Sequence, residues 1–136
     1  MLIIRRDSDQ AASKWKLTRV ARRAPLFRSM TRAALSWLLD NSTETIYDIN
    51  DVIVRQGEHD DFVYLVLIGR VRVTQSSGDG AADVVIAELG PGDIFGELAI
   101  LESQPRSATV HTLERTSCLK VTGKDFLTAL NQSMPS

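Results

Sequence analysis

Two hydrophobic rhythms divide the chain. Between Lys14 and Leu39 the apolar residues Trp15, Val20, Phe27, Met30, Ala34, Leu35, Trp37 and Leu38 recur at roughly helical spacing. Pro25 interrupts the rhythm, because proline lacks a backbone donor and clashes with the preceding turn. The spacing predicts a helix near 14–23, a turn at Ala24-Pro25-Leu26-Phe27 and a second helix near 30–39. Asp40-Asn41-Ser42-Thr43 is turn chemistry and ends it. From Thr45 the period shortens to that of strands. Segments follow at Thr45–Ile49, Val52–Val54, Phe62–Leu67, Val71–Gln75, Val84–Leu89, Ala108–Thr112 and Cys118–Val121. Turn signals separate them, among them Asn50-Asp51, Gln56-Gly57-Glu58, Ile68-Gly69, Ser76-Ser77-Gly78-Asp79-Gly80 and Gly90-Pro91-Gly92-Asp93. Arg70-Val71-Arg72-Val73 alternates strictly, which predicts a strand with one wet face. A short helix near Lys124–Asn131 closes the chain. Many short strands with glycine turns predict a β-sandwich or barrel.

Length and composition narrow this without changing it. The 136 residues suit one domain. Hydrophobic residues at 43% and charged residues at 24% are ordinary for a globular protein, which excludes whole-chain disorder. No apolar run approaches the ~20 residues of a membrane helix; the longest, Phe62–Ile68, is strand-sized. The start, Met1-Leu2-Ile3-Ile4-Arg5-Arg6-Asp7, lacks the longer apolar stretch of a signal peptide. Cys118 is the single cysteine, so there is no internal disulfide framework and no cysteine-based zinc site. These features point to a soluble, cytoplasmic protein. The net charge of −1 hides a gradient. Residues 1–40 carry nine Lys/Arg and three Asp/Glu, a net of +6; the remainder carries seven and fourteen, a net of −7. A basic arm suits nucleic acid or an anionic membrane. No DNA-binding motif accompanies it, so a solvated helix face or a linker is the simpler reading. The division expected is a basic arm or linker at 1–17 and a binding domain at 18–136.

One segment does not fit a strand meander: Phe95-Gly96-Glu97-Leu98-Ala99-Ile100-Leu101-Glu102-Ser103-Gln104-Pro105-Arg106-Ser107-Ala108-Thr109-Val110. Gly96 permits close backbone approach. Leu98–Leu101 can form one helical turn whose first N–H groups stay free, a geometry that suits anions. Arg106 follows after a proline, and its planar fork suits a phosphate. Ser107 adds a hydroxyl donor. Arg106, Ser107 and the N–H groups of Ala99 and Ala108 can thus converge on one phosphate. Glu97 would repel an anion, but it fits as the acceptor for a sugar hydroxyl beside it. The set reads as ribose plus phosphate.

This segment resembles the phosphate-binding cassette of cyclic nucleotide-binding domains, with a pattern close to F-G-E-L-A-x-L, a short spacer and P-R-S/T/A-A-T-V. Val52–Glu58 resembles the family's second strand and turn, Tyr64–Val73 its core hairpin, and Ala24–Phe27 the turn between its N-terminal helices. The likeness spans roughly residues 18–130. It implies a mainly β fold, an eight-stranded antiparallel jelly-roll barrel with N-terminal helices, an inserted short phosphate-binding helix and a short C-terminal helix. It implies that cyclic AMP, favoured over cyclic GMP, binds inside the roll. Carried over, Glu97 takes the ribose 2′-hydroxyl, Gly96 lets the backbone approach the sugar, and Leu98 and Ala99 offer backbone donors. Arg106 pairs with the cyclic phosphate, and Ser107 and Ala108 complete its shell. Val73 and Ile86 match strand positions lining the base pocket. Arg106→Ala is then expected to lose affinity with little loss of stability.

Other readings remain for individual residues. Arg106 and Glu97 taken alone read as a surface ion pair. Gly57, Gly69, Gly90 and Gly92 read as turn residues, His59 as a loop residue and His111 as a strand residue. A metal-dependent cupin needs about three clustered histidines and a carboxylate, and two distant histidines argue against it. No serine has a histidine at a triad-like position, so no enzyme activity is expected. Cys118 reads as buried and inert. Asn50-Asp51 replaces the family's usual glycine turn, which asparagine tolerates in a left-handed conformation. Only ten residues follow Phe126, so the family's longer lid helix over the base is missing or only begun. The expected function is a regulatory sensor that passes cyclic nucleotide occupancy to another protein domain through its flanking helices. The alternatives are an interaction module that binds no nucleotide, or a regulatory fragment of a larger transporter, channel or enzyme.

Overall fold

The computed structural model describes residues 2–5 and 10–134, with side chains from Trp15 onward. Residues 6–9 of the expected basic arm, and 135–136 at the end of the expected domain, lie outside the described residues. Helices α1 (Gln10–Ala21), α2 (Pro25–Arg28) and α3 (Arg32–Asp40) precede the strands. Pro25 stands at the start of α2, where its missing N–H goes unneeded. Thr31 caps α3 by accepting from the Ala34 N–H at 3.1 Å. The predicted helix near 14–23 thus begins four residues earlier, and the predicted turn at 24–27 becomes a short helix.

Nine strands form two antiparallel sheets among the described residues. One sheet has the order β1 (Leu2–Arg5), β2 (Thr43–Tyr47), β9 (Thr116–Thr122), β4 (Phe62–Ile68), β7 (Ile94–Phe95). The other has the order β3 (Val52–Val54), β8 (Thr109–Thr112), β5 (Val71–Gln75), β6 (Val84–Leu89). Eight of these make the jelly roll that the family resemblance implies. The ninth, β1, pairs along β2 with Leu2 opposite Tyr47, so this part of the expected arm extends the first sheet. Two more helices complete the chain: α4 (Glu97–Glu102) within the cassette and α5 (Gly123–Gln132) after β9.

The all-apolar run of β4 follows from burial on both faces. Val63 and Leu65 join Leu119 and Val121 of β9 against Phe27, Leu35, Leu38 and Phe126 of the helices. Tyr64 and Val66 point the other way, into the roll, with Tyr47, Val54, Val71, Phe95, Val110 and Cys118. Continuous apolar sequence is what a strand covered on both sides requires. Tyr64 stacks on Phe95 at 4.9 Å between ring centroids. Cys118 is fully buried, and desolvation pushes its thiol up to about 12. β5 shows the wet face its alternation predicts. Val71 is buried, while Arg72 and Arg70 reach Glu88 of β6 at 2.9 and 3.6 Å on the outside. Asn50, with φ 64°, takes the left-handed turn conformation before β3.

Candidate functional site

The cassette is built between two positive-φ positions. Gly96 (φ 90°) starts α4 and Ser103 (φ 52°) ends it. Glycine is required at the first, since a Cβ on Gly96 would stand 2.5 Å from Arg106 Nη1 and 3.0 Å from the Phe62 carbonyl oxygen. Both ends of the cassette are therefore tied to one side chain. Arg106 is only 4% exposed. Its Nη1 donates to the Gly96 carbonyl at 2.7 Å. Its Nη2 donates to Asp60 Oδ1 at 2.9 Å and to the Phe62 carbonyl at 2.5 Å. Its backbone also bridges: Arg106 N–H donates to the Glu58 carbonyl at 2.9 Å, and Gly57 N–H donates to the Arg106 carbonyl at 2.8 Å. Arg106 Nε is buried without a partner. Asp60 holds a second group, accepting the Tyr64 hydroxyl at 3.0 Å on Oδ2.

Arg106 is thus a structural bridge as well as a candidate ligand group. Breaking a buried ion pair from one side is strongly destabilising, by about 3–5 kcal/mol. The expectation that Arg106→Ala spares stability does not survive this geometry. The surface pair between Arg106 and Glu97 is not formed either, since the carboxylate on Arg106 is Asp60.

Glu97 opens α4 and is half-buried. Burial lifts its carboxyl above the ordinary carboxylate range, while the N–H groups of Leu98 and of Glu97 itself, and then Arg106, pull it partway back. Leu98 is 61% exposed and Ala99 is half-buried. Ser107 is exposed, and its carbonyl accepts Gln75 Nε2 at 3.0 Å, which ties the cassette's exit to the end of β5. Ala108 is half-buried beside it. Val73 is half-buried and packs on the interior cluster of the roll. Ile86 does not join it. The β5–β6 register pairs Val73 with Ala87 and Thr74 with Val85, so Ile86 is the extra residue of a bulge, and it is 54% exposed. Ala87 is the residue set opposite Val73.

Two features were not read from the sequence. Asp60 is one of four acidic residues at positions 58–61 and 51, and nothing in their order singles it out. Lys120 on β9 holds its ammonium 3.9 Å above the Phe62 ring, on the roll-facing side with Tyr64. Signals for both exist only in three dimensions. His59 is exposed and His111 is half-buried in β8. Among the described residues no group of three or more His, Cys, Asp or Glu side chains is placed to hold a metal ion. No described helix is long and apolar enough to cross a membrane.

A cassette strung between a positive-φ glycine and a buried arginine, inserted into a jelly roll with a helical layer on one sheet, defines a class of binding module. The sequence matches the cyclic nucleotide-binding domain family over residues 44–133, and the chain belongs to that family. It is 34% identical over 121 residues to a cAMP-dependent protein kinase regulatory subunit of Dictyostelium discoideum, covering 87% of this chain and 37% of that protein. It is 34% identical over 104 residues to a cGMP-dependent protein kinase, isozyme 2 forms cD5/T2, of Drosophila melanogaster, covering 75% and 11%. In structure it is similar to the regulatory domain of Toxoplasma gondii PKA, solved with cAMP, at a TM-score of 0.81 and 25% identity, covering 92% of this chain and 48% of that one. The chain spans well under half the length of these curated relatives. It is a cyclic nucleotide-binding regulatory domain like those of protein kinase A regulatory subunits.

Proposed function

We propose that this domain is a sensor that binds cyclic AMP in preference to cyclic GMP and performs no chemistry on it. The observation that carries the proposal is the Gly96–Arg106 junction. One guanidinium, buried and oriented by Asp60, lies against a positive-φ backbone position where a Cβ would stand 2.5 Å from it. In this reading the phosphate lies against Arg106, Ser107 and the N–H groups of Ala99 and Ala108. Leu98 supplies a further backbone donor at the start of α4. Glu97 takes the ribose 2′-hydroxyl, with Gly96 allowing the sugar close. Val73, with Ala87 in the place that the sequence suggested for Ile86, borders the base. The preference for cyclic AMP is supported by the cyclic AMP named for the Dictyostelium and Toxoplasma relatives.

Occupancy passes to the helices through Ile100. A Cβ on Gly123, the first residue of α5, would stand 2.7 Å from Ile100 Cδ1. Gly123 N–H also donates to the Asp61 carbonyl at 2.6 Å, next to the Arg106 partner Asp60. Movement of α4 around a phosphate therefore presses on α5. α5 is joined to α3, with Thr31 N–H donating to Ser133 Oγ at 2.9 Å. A ligand shifts such an equilibrium only through its different affinity for the two arrangements. The helical layer then presents the change to another protein domain.

Calorimetric titration tests the reading. Micromolar or tighter binding of cyclic AMP is expected, with weaker binding of cyclic GMP and none of 5′-AMP. Binding of cyclic GMP as tight as that of cyclic AMP would overturn the base preference. Silence with both at millimolar ligand would leave the fold as an interaction module only.

A further inference from the structure

The helical layer carries a second feature, remote from the cassette. From Gln10 to Leu39 the chain has seven basic residues and no acidic one. Three of them, Arg19, Arg22 and Arg32, border a groove of about 860 Å³ between α1 and α3. Its floor is apolar, made by Met30 and Leu35, which are 3% and 1% exposed. Its rim carries Arg19, Arg22 and Arg32, and among the described residues no acidic side chain lines it. Trp15 stands at the rim, 54% exposed, with the Lys16 ammonium and the Arg19 guanidinium each 5.7 Å from its ring. Arg22 is fixed rather than free, donating to the Arg28 and Met30 carbonyls at 3.2 and 3.4 Å.

We infer that this groove docks an acidic amphipathic helix of a partner protein. An apolar floor flanked by cations is the complement of a helix whose apolar stripe is bordered by glutamates. Burying the exposed Trp15 ring would supply affinity, and pairing the arginines would supply specificity and a fast encounter. A bilayer does not match, because the apolar residues lie at the bottom of a concavity rather than on a protruding face. A duplex phosphate backbone would satisfy the arginines and leave the exposed Trp15 ring without an apolar partner. The inference names the partner chemistry for the helical layer and rests on the proposal that this layer carries the output.

The test uses the full chain with Trp37→Phe, so that Trp15 is the sole tryptophan reporter. The probe is a blocked helix of about 16 residues with a leucine stripe between rows of glutamate. Binding should shift Trp15 emission to the blue and weaken steeply with salt. Arg19→Glu and Arg32→Glu, both at exposed positions, should each weaken it about tenfold while far-UV dichroism and cyclic AMP binding stay unchanged. Equal binding of a helix with lysine in place of glutamate overturns the inference. So does binding only to phosphatidylserine vesicles or to a DNA duplex. Repeating the titration with saturating cyclic AMP separates the two proposals. Peptide affinity that is unmoved by nucleotide keeps the docking site and removes the transmission. Peptide silence removes the docking site whatever the nucleotide does.

Discussion

The cassette and the helical layer touch at Ile100, yet opposite kinds of force hold them. The packed interior of the helical layer is apolar. Phe27, Leu35, Leu38, Phe126 and Ala129 are at most 1% exposed, and the rings of Phe27 and Phe126 meet at 6.1 Å. The cassette has almost none of this. α4 buries no residue, and Leu98 and Leu101 are 61% and 42% exposed. What fixes it is directional: the three carbonyl and carboxylate acceptors of Arg106. Apolar burial is non-directional and tolerates sliding of a packed unit. A polar bridge holds one geometry and is lost when that geometry changes. The contrast suits a ligand-gated segment that rearranges while the apolar unit it touches moves as a whole.

The largest test of that contrast pairs one residue from each region. Phe126→Ala should remove about 3–5 kcal/mol of stability through the cavity it leaves. Nucleotide affinity per folded molecule should stay within a few-fold. Arg106→Ala should remove about 3 kcal/mol or more by stranding Asp60, and should abolish detectable binding as well. Urea unfolding beside calorimetry separates the two outcomes. If Phe126→Ala loses affinity as completely as Arg106→Ala, the two regions are not mechanically distinct.

A middle-sized effect lies at the joint between them. Gly123 has an ordinary φ, so a side chain there meets only steric resistance, from Ile100 at 2.7 and 3.1 Å and from the Asp61 carbonyl at 3.2 Å. Gly123→Ala should cost about 1–3 kcal/mol by overpacking. It should also change cyclic AMP affinity several-fold, and Ile100→Val in the same chain should restore part of both. Restoration of stability without any change in affinity at either step would mean that Ile100 packs on α5 without transmitting anything.

How much of this was legible in the sequence depended on whether the signal was periodic. The strands β4, β5 and β6 are visible because their alternation or their apolar run is long enough to count. β7 is not, because the two residues Ile94 and Phe95 carry no period. β1 was read as part of a charged arm, since Leu2–Ile4 is too short to show one. The cassette was legible as a string, including Gly96, Glu97 and Arg106. Its anchor was not. A buried arginine needs a carboxylate, but choosing Asp60 over Glu58 or Asp61 needs the fold. Ile86 shows a different limit: it sits at a register shift between β5 and β6, and a single bulged residue leaves no trace in the sequence pattern.

The smallest predicted effect is the one that best separates binding from folding. Burial holds the Glu97 carboxyl above its ordinary range, so the folded chain keeps a proton there at pH values where the unfolded chain has released it. Stability from this group is complete below the ordinary glutamate value of about 4.3 and is lost as pH rises through the folded value. At neutral pH the ionised Glu97 is therefore a small liability to the nucleotide-free fold. Glu97→Gln removes the charge and keeps the shape. Its melting temperature without nucleotide should rise slightly at pH 7 and match the parent at pH 4. Binding should move the other way: affinity for cyclic AMP should fall, while affinity for its 2′-deoxy analogue should barely change. The cassette would then keep a carboxylate that the fold alone does not favour, held for a sugar hydroxyl. Equal losses for both nucleotides would place Glu97 outside the sugar contact, and a melting temperature that fell at pH 7 would show the carboxylate to be structural.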